Sequence, residues 1–117
     1  MAQGWNDTVL NAMAAAANTL ATHASIHTAE PNASGSNESA AARQPVDWAT
    51  PTGGDSVLDS ELAFTGGTPN GAATHIGFWD DDTAGNFLGY WALSGDQTFN
   101  AAGEYTVPSG TVAGSSS

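Results

Sequence analysis

The sequence predicts an all-β fold, an antiparallel β-sandwich of six to eight short strands preceded by one N-terminal α-helix. Apolar residues recur every three or four positions up to residue 21, and alternate with polar residues thereafter. Clusters of Gly, Pro, Asn and Ser separate the alternating runs, as is typical of sandwiches. We therefore expect a helical docking segment over residues 1–21, a β-sandwich domain over 22–113 and a flexible tail over 114–117.

The first segment has the periodicity of an amphipathic helix. Its apolar face consists of Trp5, Val9, Met13, Ala16 and Leu20. The polar residues Asn6 and Asp7 are both suitable helix caps. Because this stripe is narrow and the helix is rich in alanine, we expect it to lie on a neighbouring surface rather than to form the centre of a core.

Period-two alternation predicts the strands. They cover residues 22–28, 41–48, 57–64, 73–79 and 87–93, with weaker strands at 98–99, 104–107 and 111–112. Pro45 marks the second as an edge strand or a bulge. The runs 73–79 and 87–93 flank an acidic hairpin loop in which Gly85 and Asn86 are suited to left-handed conformations. Both runs carry large side chains on both faces, which is typical of central strands or of a subunit contact.

The composition excludes several classes of chemistry. The 117 residues include twelve carboxylates, one cation (Arg43) and no cysteine, and the formal net charge is −11. Without cysteine there are no thiolate zinc sites or disulfides, and without lysine there is no Walker-type phosphate loop or Schiff base. We expect no nucleic-acid partner, since binding needs clustered cations, and no membrane partner, since the weakly polar stretch 13–17 is short. Nor do we expect a secretory signal, since nothing basic precedes the alanine-rich run.

The one-sided charge indicates a salt-rich environment. Like charges oppose compaction at ordinary ionic strength, and molar salt screens them. An acidic, lysine-free composition is similar to that of proteins from extreme halophiles. The alternative is an acidic surface that keeps an oligomer soluble.

The titratable clusters do not predict a metal, a cofactor or a catalytic site. Asp80–Asp82 precedes Gly85 as in a calcium loop, but Ala84 and Trp91 stand where an EF-hand needs oxygen ligands. A looser Ca²⁺ or Na⁺ site is the alternative to a solvated acidic turn. No serine lies in a G-x-S-x-G elbow.

Histidines are expected to be structural. His23 and His27 fall on one strand face with Ser25 between them, and nothing in the sequence places His75 beside them. We expect His27 and His75 to be hydrogen-bonded at the edge of the sandwich, with a three-imidazole metal site as the weaker alternative.

Arg43 and the large aromatic residues are the candidates for subunit contacts. Asp47 lies on the same predicted strand face as Arg43, so we expect these two to pair, as an interfacial fork or as an exposed ion pair. Trp48, Trp79 and Trp91 suit a core or an interface, with sugar stacking as the alternative. The predicted interface residues are Trp5, Val9, Met13, Arg43, Trp48, Trp79 and Trp91.

An ordered set of sequence blocks covers roughly residues 20–113. The blocks are Ile26–Pro31, Ser36–Glu38, Ala42–Trp48, Thr74–Asp80, Gly85–Leu93 and Gly103–Gly110. This set resembles small structural proteins of tailed phages, variously labelled tail-fibre, minor tail or head-decoration proteins. The resemblance implies an oligomeric β-sandwich in the virion without catalysis. The basic residues of many relatives are absent here, and the Gly/Ser end replaces a clean final strand.

Together these observations predict a non-enzymatic virion structural protein that associates with its own copies and with other virion proteins. The favoured role is capsid decoration or a turret component of a tailed haloarchaeal virus. The alternative is a tail-fibre or baseplate module that contacts the host surface, where glycans are a further partner. A second alternative is a carbohydrate-binding β-sandwich domain.

Overall fold

The computed structural model describes residues 6–115. One helix, α1, precedes eight strands. The elements are α1 (Asp7–Leu20), β1 (His23–His27), a short 3₁₀ helix (Asn32–Ser34), β2 (Gln44–Pro45), β3 (Asp55–Val57), β4 (Leu62–Phe64), β5 (His75–Trp79), β6 (Phe87–Ala92), β7 (Tyr105–Val107) and β8 (Val112–Ser115). The Asn6 side chain caps α1 by accepting a hydrogen bond from the Val9 amide at 3.1 Å.

The strands form three antiparallel sheets, which confirms the predicted all-β class. The largest has the order β2-β1-β5-β6, and the pairs β3-β8 and β4-β7 form two smaller sheets. One face of the large sheet contributes Ala24, Ile26, Ile76 and Phe78 to the hydrophobic core. The smaller sheets supply Leu62, Phe64 and Val107, among others, to the same core.

The other face of the large sheet is buried as well. It carries Ser25 and His27 from β1, Trp79 from β5 and Phe87 from β6. The segment 28–43 crosses this face and comes close at Gly35, where an added Cβ would lie 2.7 Å from the Trp79 ring and 2.9 Å from Phe87. Burial on both faces explains why β5 carries large side chains on both sides. β6 is half-buried or exposed along its length.

The single strand predicted over 57–64 is wrong. The chain bends at Asp59 and Ser60, so that β3 pairs with β8 while β4 pairs with β7. The bend allows the chain to leave one small sheet and enter the other. Leu58, Leu62 and Phe64 are nevertheless all buried, as the alternation predicted.

Three other strand boundaries differ from expectation. The predicted strand 41–48 is reduced to Gln44–Pro45, and the weak strand at 98–99 is a single bridge between Ala72 and Thr98. β8 continues through Ser115, so residues 114 and 115, assigned to the tail, are paired with β3. Residues 116 and 117 lie outside the described part.

Candidate functional site

Arg43 lies on the second face of the large sheet and is fully engaged within the subunit. Its guanidinium carbon stands 3.6 Å above the centroid of the Trp79 ring. Nε and Nη2 donate to the two carboxylate oxygens of Glu38 at 2.9 and 3.1 Å, and the Arg43 side chain is 9% exposed. Nη1 donates to the carbonyl oxygens of Asp81 and Ala84 at 3.1 and 2.7 Å. Arg43 thus ties segment 28–43 to the β5–β6 turn.

The expected pairing of Arg43 with Asp47 is therefore wrong, because Glu38 occupies the fork. The prediction assumed that both residues lie on one strand face, but β2 ends at Pro45 and does not reach Asp47. Every contact given above for the guanidinium lies inside one copy of the chain. The interfacial fork expected for Arg43 gains no support from these contacts.

Beside this fork lies a chain of buried hydrogen bonds with one consistent direction. Trp79 Nε1 donates to Ser25 Oγ at 2.8 Å, Ser25 Oγ lies 2.6 Å from His27 Nε2, and His27 Nδ1 lies 2.8 Å from the Ser36 carbonyl oxygen. A carbonyl only accepts, so Nδ1 carries the proton and Nε2 accepts from Ser25. Burial is the main cause that lowers the pKa of His27. The ring is accordingly neutral.

Ser25 Oγ and His27 Nε2 lie as close together as a catalytic serine and its general base, but their surroundings do not suit catalysis. Both residues are fully buried, and the second ring nitrogen of His27 is bound to a backbone carbonyl rather than to a carboxylate. No substrate can reach Ser25 Oγ in this arrangement. The pair holds β1, β5 and segment 28–43 together.

The acidic turn between β5 and β6 satisfies its own hydrogen bonds. Asp80 accepts from the backbone and side-chain nitrogens of Asn86 at 2.7 and 2.9 Å, and these bonds lower the pKa of Asp80. Hydrogen bonding to Asp82 lowers the pKa of Asp81 in the same way. The left-handed residues are Ala84 and Gly85, one position earlier than expected. Within residues 6–115 no group of three His, Asp or Glu side chains could hold a metal ion.

An apolar groove of about 410 Å³ opens between α1 and β6. Its walls include Met13, Ala17 and Leu20 from the helix, Leu88 and Trp91 from the strand, and Trp48. Met13, Leu20, Leu88 and Trp91 are between 38% and 59% exposed, although they are large and apolar. Among residues 6–115, none of those that line the groove is charged, although the chain has twelve carboxylates.

The structure brings together three of the seven predicted interface residues. Met13, Trp48 and Trp91 line the groove from three separate segments. Trp48 is anchored, because its Nε1 donates to the Ala21 carbonyl at 2.9 Å and its ring packs on Phe78. Val9 is half-buried on α1, Arg43 and Trp79 form the internal stack, and Trp5 lies outside the described residues.

Sequence reasoning missed Leu88 as a groove residue and the Ser25–His27–Ser36 chain. Leu88 lies at a β-bulge, where Phe87 pairs with Trp79 and Gly89 with Phe78, so its face does not follow simple alternation. For the histidine chain the signal was present, since alternation placed Ser25 between two histidines. Its partner Ser36 comes from a loop that no local pattern places.

These features define a small acidic β-sandwich whose conspicuous exposed surface is apolar and suited to contact with other proteins. A family model described as podophage GP4 fiber I protein gp80 matches residues 1–115. The chain therefore belongs to this family of phage fibre proteins, and it is a structural component of the virion. The family is one of structural proteins rather than enzymes, and its members associate with other virion components.

No curated protein and no solved structure matches the chain. Among the helices of the described residues, none is long and apolar enough to cross a bilayer.

Proposed function

We propose that this chain is a subunit of a tail fibre, that its copies associate with one another, and that the fibre faces the host. The family match over residues 1–115 is the observation that carries this proposal. It supports the tail-fibre alternative better than capsid decoration, which the sequence alone favoured. The exposed apolar groove supports association, because patches of large apolar side chains mark contact surfaces.

The charge distribution supports a particle that works in concentrated salt. Arg43 is the one cation among the side chains, and it is stacked against Trp79 and only 9% exposed. The exposed charge of the described part is therefore carried by carboxylates, whose repulsion salt screens. We include a haloarchaeal host in the proposal on this basis.

Two of the three tryptophans considered for sugar stacking are engaged internally. Trp79 lies under Arg43, and Trp48 Nε1 donates to the Ala21 carbonyl. Trp91, 40% exposed, is the one whose ring is available for outside contact. This distribution favours a protein contact surface over a lectin-type platform.

The proposal is tested on purified particles. An antibody raised against the chain is expected to label the tail region in electron micrographs and to slow adsorption to host cells. Label spread evenly over the capsid would replace the fibre role with decoration, and absence of the chain from particles would overturn a virion role. A glycan array with the isolated chain separates the lectin alternative, which requires saccharide binding without particle association.

A further inference from the structure

A second cavity, of about 510 Å³, lies beside the sheet formed by β4 and β7. We call it the polar cleft. Its walls come from residues 63–65, from residues 104–106 with Pro108, and from alternate residues of the segment 94–100. The polar cleft has the size of a small-molecule site. It shares no lining residue with the apolar groove, so the two are separate surfaces of the subunit.

Three hydroxyl groups on the walls of the polar cleft are not used by the fold. They belong to Thr65, Ser94 and Thr106, and none of them forms a hydrogen bond with another residue of the described part. Each hydroxyl can both donate and accept. These groups bond to water in the free protein, so a ligand that enters must replace those bonds. A ligand that itself carries many hydroxyls is suited to do so.

Two carboxylates of the polar cleft are held in place by one oxygen each. Asp96 Oδ1 accepts from the amide and the hydroxyl of Thr98 at 3.1 and 2.7 Å. Glu104 Oε1 accepts from Asn100 Nδ2 at 3.2 Å, and the Glu104 amide donates to Asn100 Oδ1 at 2.9 Å. The second oxygen of each carboxylate receives no hydrogen bond from the described residues. Both are therefore positioned to accept charge-assisted bonds from the hydroxyls of a ligand.

Tyr105 adds a fixed aromatic side chain to the polar cleft. Its hydroxyl donates to the Asp96 carbonyl oxygen at 2.5 Å, and its ring packs edge-on against Phe99 with 6.2 Å between centroids. The ring offers apolar surface that needs no reordering when a ligand enters. A saccharide ring has hydroxyls at its rim and C–H groups on its faces. Free hydroxyls, carboxylates and one held aromatic ring match both of these parts.

The charge of the polar cleft selects among ligands. Among residues 6–115, its lining includes two carboxylates and no cation. Arg43, the one cationic side chain of the sequence, is stacked on Trp79 and only 9% exposed. An acidic saccharide would therefore be repelled without compensation. A basic peptide would be attracted, but concentrated salt screens that attraction, whereas hydrogen bonds and ring contacts persist.

We propose that the polar cleft binds a neutral saccharide of the host surface. Asp96 and Glu104 accept hydrogen bonds from its hydroxyls, the three unused hydroxyls of the walls complete the polar contacts, and Tyr105 packs against the C–H groups of a ring. This inference rests on the host-facing role proposed above, for which it names the class of ligand and the residues that bind it.

The first test identifies the class of ligand. Glycans released from host cells are separated by anion exchange into a neutral and an acidic fraction. Each fraction is then examined with the isolated chain in molar KCl by saturation-transfer NMR, which detects weak binding. The neutral fraction should give signals, whereas the acidic fraction and an oligolysine peptide should give none.

The second test compares two substitutions that each remove one exposed threonine hydroxyl. Thr106→Val removes a hydroxyl of the polar cleft and keeps a β-branched side chain on β7. Thr52→Val is the matched control, because Thr52 is exposed and does not line the cleft. Thr106→Val should raise the apparent dissociation constant for the neutral fraction about threefold to tenfold, and Thr52→Val should leave it unchanged. Equal thermal melts show that both variants are folded.

The third test changes the charge of the polar cleft. Asp96→Asn combined with Glu104→Gln removes both of its carboxylates, and the acidic fraction should then give signals. Asp47→Asn combined with Asp59→Asn removes the same charge from two exposed positions outside the cleft, and the acidic fraction should stay silent. If the first pair unfolds because Asp96 no longer holds Thr98, Thr106→Val still tests the site.

Three results would overturn the proposed site. They are a neutral fraction that gives no signal, binding of the acidic fraction or of oligolysine by the native chain, and a Thr106→Val variant that binds as well as Thr52→Val. The antibody labelling of particles does not depend on the cleft. Label at the tail together with a silent neutral fraction would remove the saccharide site and leave the fibre role.

Discussion

Replacing Arg43 by alanine should lower the free energy of unfolding by about 2–4 kcal/mol. The substitution removes the stack on Trp79, worth about 1–2 kcal/mol for a largely desolvated cation. It also removes two charge-assisted bonds to Glu38, each worth about 1.5–3 kcal/mol before solvent is considered. Glu38 is 29% exposed and regains water, which reduces the net loss of this pair to about 1–2 kcal/mol.

Arg43→Lys is the matched comparison. Lysine keeps the positive charge but cannot present a planar fork to a carboxylate and two carbonyls at once. We expect Arg43→Lys to lower the free energy of unfolding by about 1–2 kcal/mol, half the loss expected for Arg43→Ala. If charge alone mattered, Arg43→Lys would behave like the native chain.

The assay is urea-induced unfolding, followed by far-UV circular dichroism and by tryptophan fluorescence. It should be done at molar salt and again at one tenth of that concentration. Because the Arg43 side chain is only 9% exposed, the loss should be nearly the same at both. An Arg43→Ala variant within about 0.5 kcal/mol of the native chain would show that the fork and stack do not stabilise the fold.

Three further predictions concern the same sheet and the net charge. Gly77→Ala should lower the free energy of unfolding by about 1–3 kcal/mol, because the added Cβ would lie 2.5 Å from His27 Nε2 and 2.8 Å from the Phe87 ring. Gly89→Ala, where nothing lies within 4 Å of an added Cβ, should leave the thermal melt nearly unchanged. The free energy of unfolding should fall as pH drops below 6.5, because the histidine of the unfolded chain binds its proton before the buried His27 does. The decrease should level off below the lowered pKa of His27. Melting temperatures measured across this pH range show whether stability falls as expected. The melting temperature should be higher at molar KCl than at low salt, because the repulsion among twelve carboxylates is poorly screened at low salt. An unchanged melting temperature across a KCl series would contradict this.

Local alternation predicted three strands of the large sheet to within two residues of their ends. The run 22–28 contains β1 at His23–His27, and the hairpin runs contain β5 and β6 within two residues of the predicted ends. In the run 57–64 alternation correctly predicted the burial of Leu58, Leu62 and Phe64. Ser60, assigned to the same face, is exposed, and the predicted continuous strand is wrong. A bend preserves which side chains point inward while it changes the partner from β8 to β7. Partner choice is a long-range property, so local periodicity does not contain it.

For the candidate site, too, local patterns predicted some residues, whereas long-range contacts were not predictable. Helical spacing and the aromatic residues predicted Met13 and Trp91, which the structure places in one groove. The partner of Arg43 was not predictable from strand spacing, because segment 28–43 folds back over the sheet and brings Glu38 to the fork. Loops of this kind are held by side-chain contacts to distant residues. Such contacts leave no periodic pattern in the sequence from which they could be predicted.

The covered face of the large sheet and the groove between α1 and β6 indicate a separation of subunit stability from association. The face covered by segment 28–43 contains Arg43, Trp79 and the His27 chain, all of which bind within one copy. The groove that supports association lies instead between α1 and β6. Arg43→Ala should therefore lower the free energy of unfolding while its folded fraction still associates, and Ala17→Glu should weaken association while melting unchanged. If both variants lost both properties together, subunit folding and assembly would be one coupled process, as in obligate oligomers.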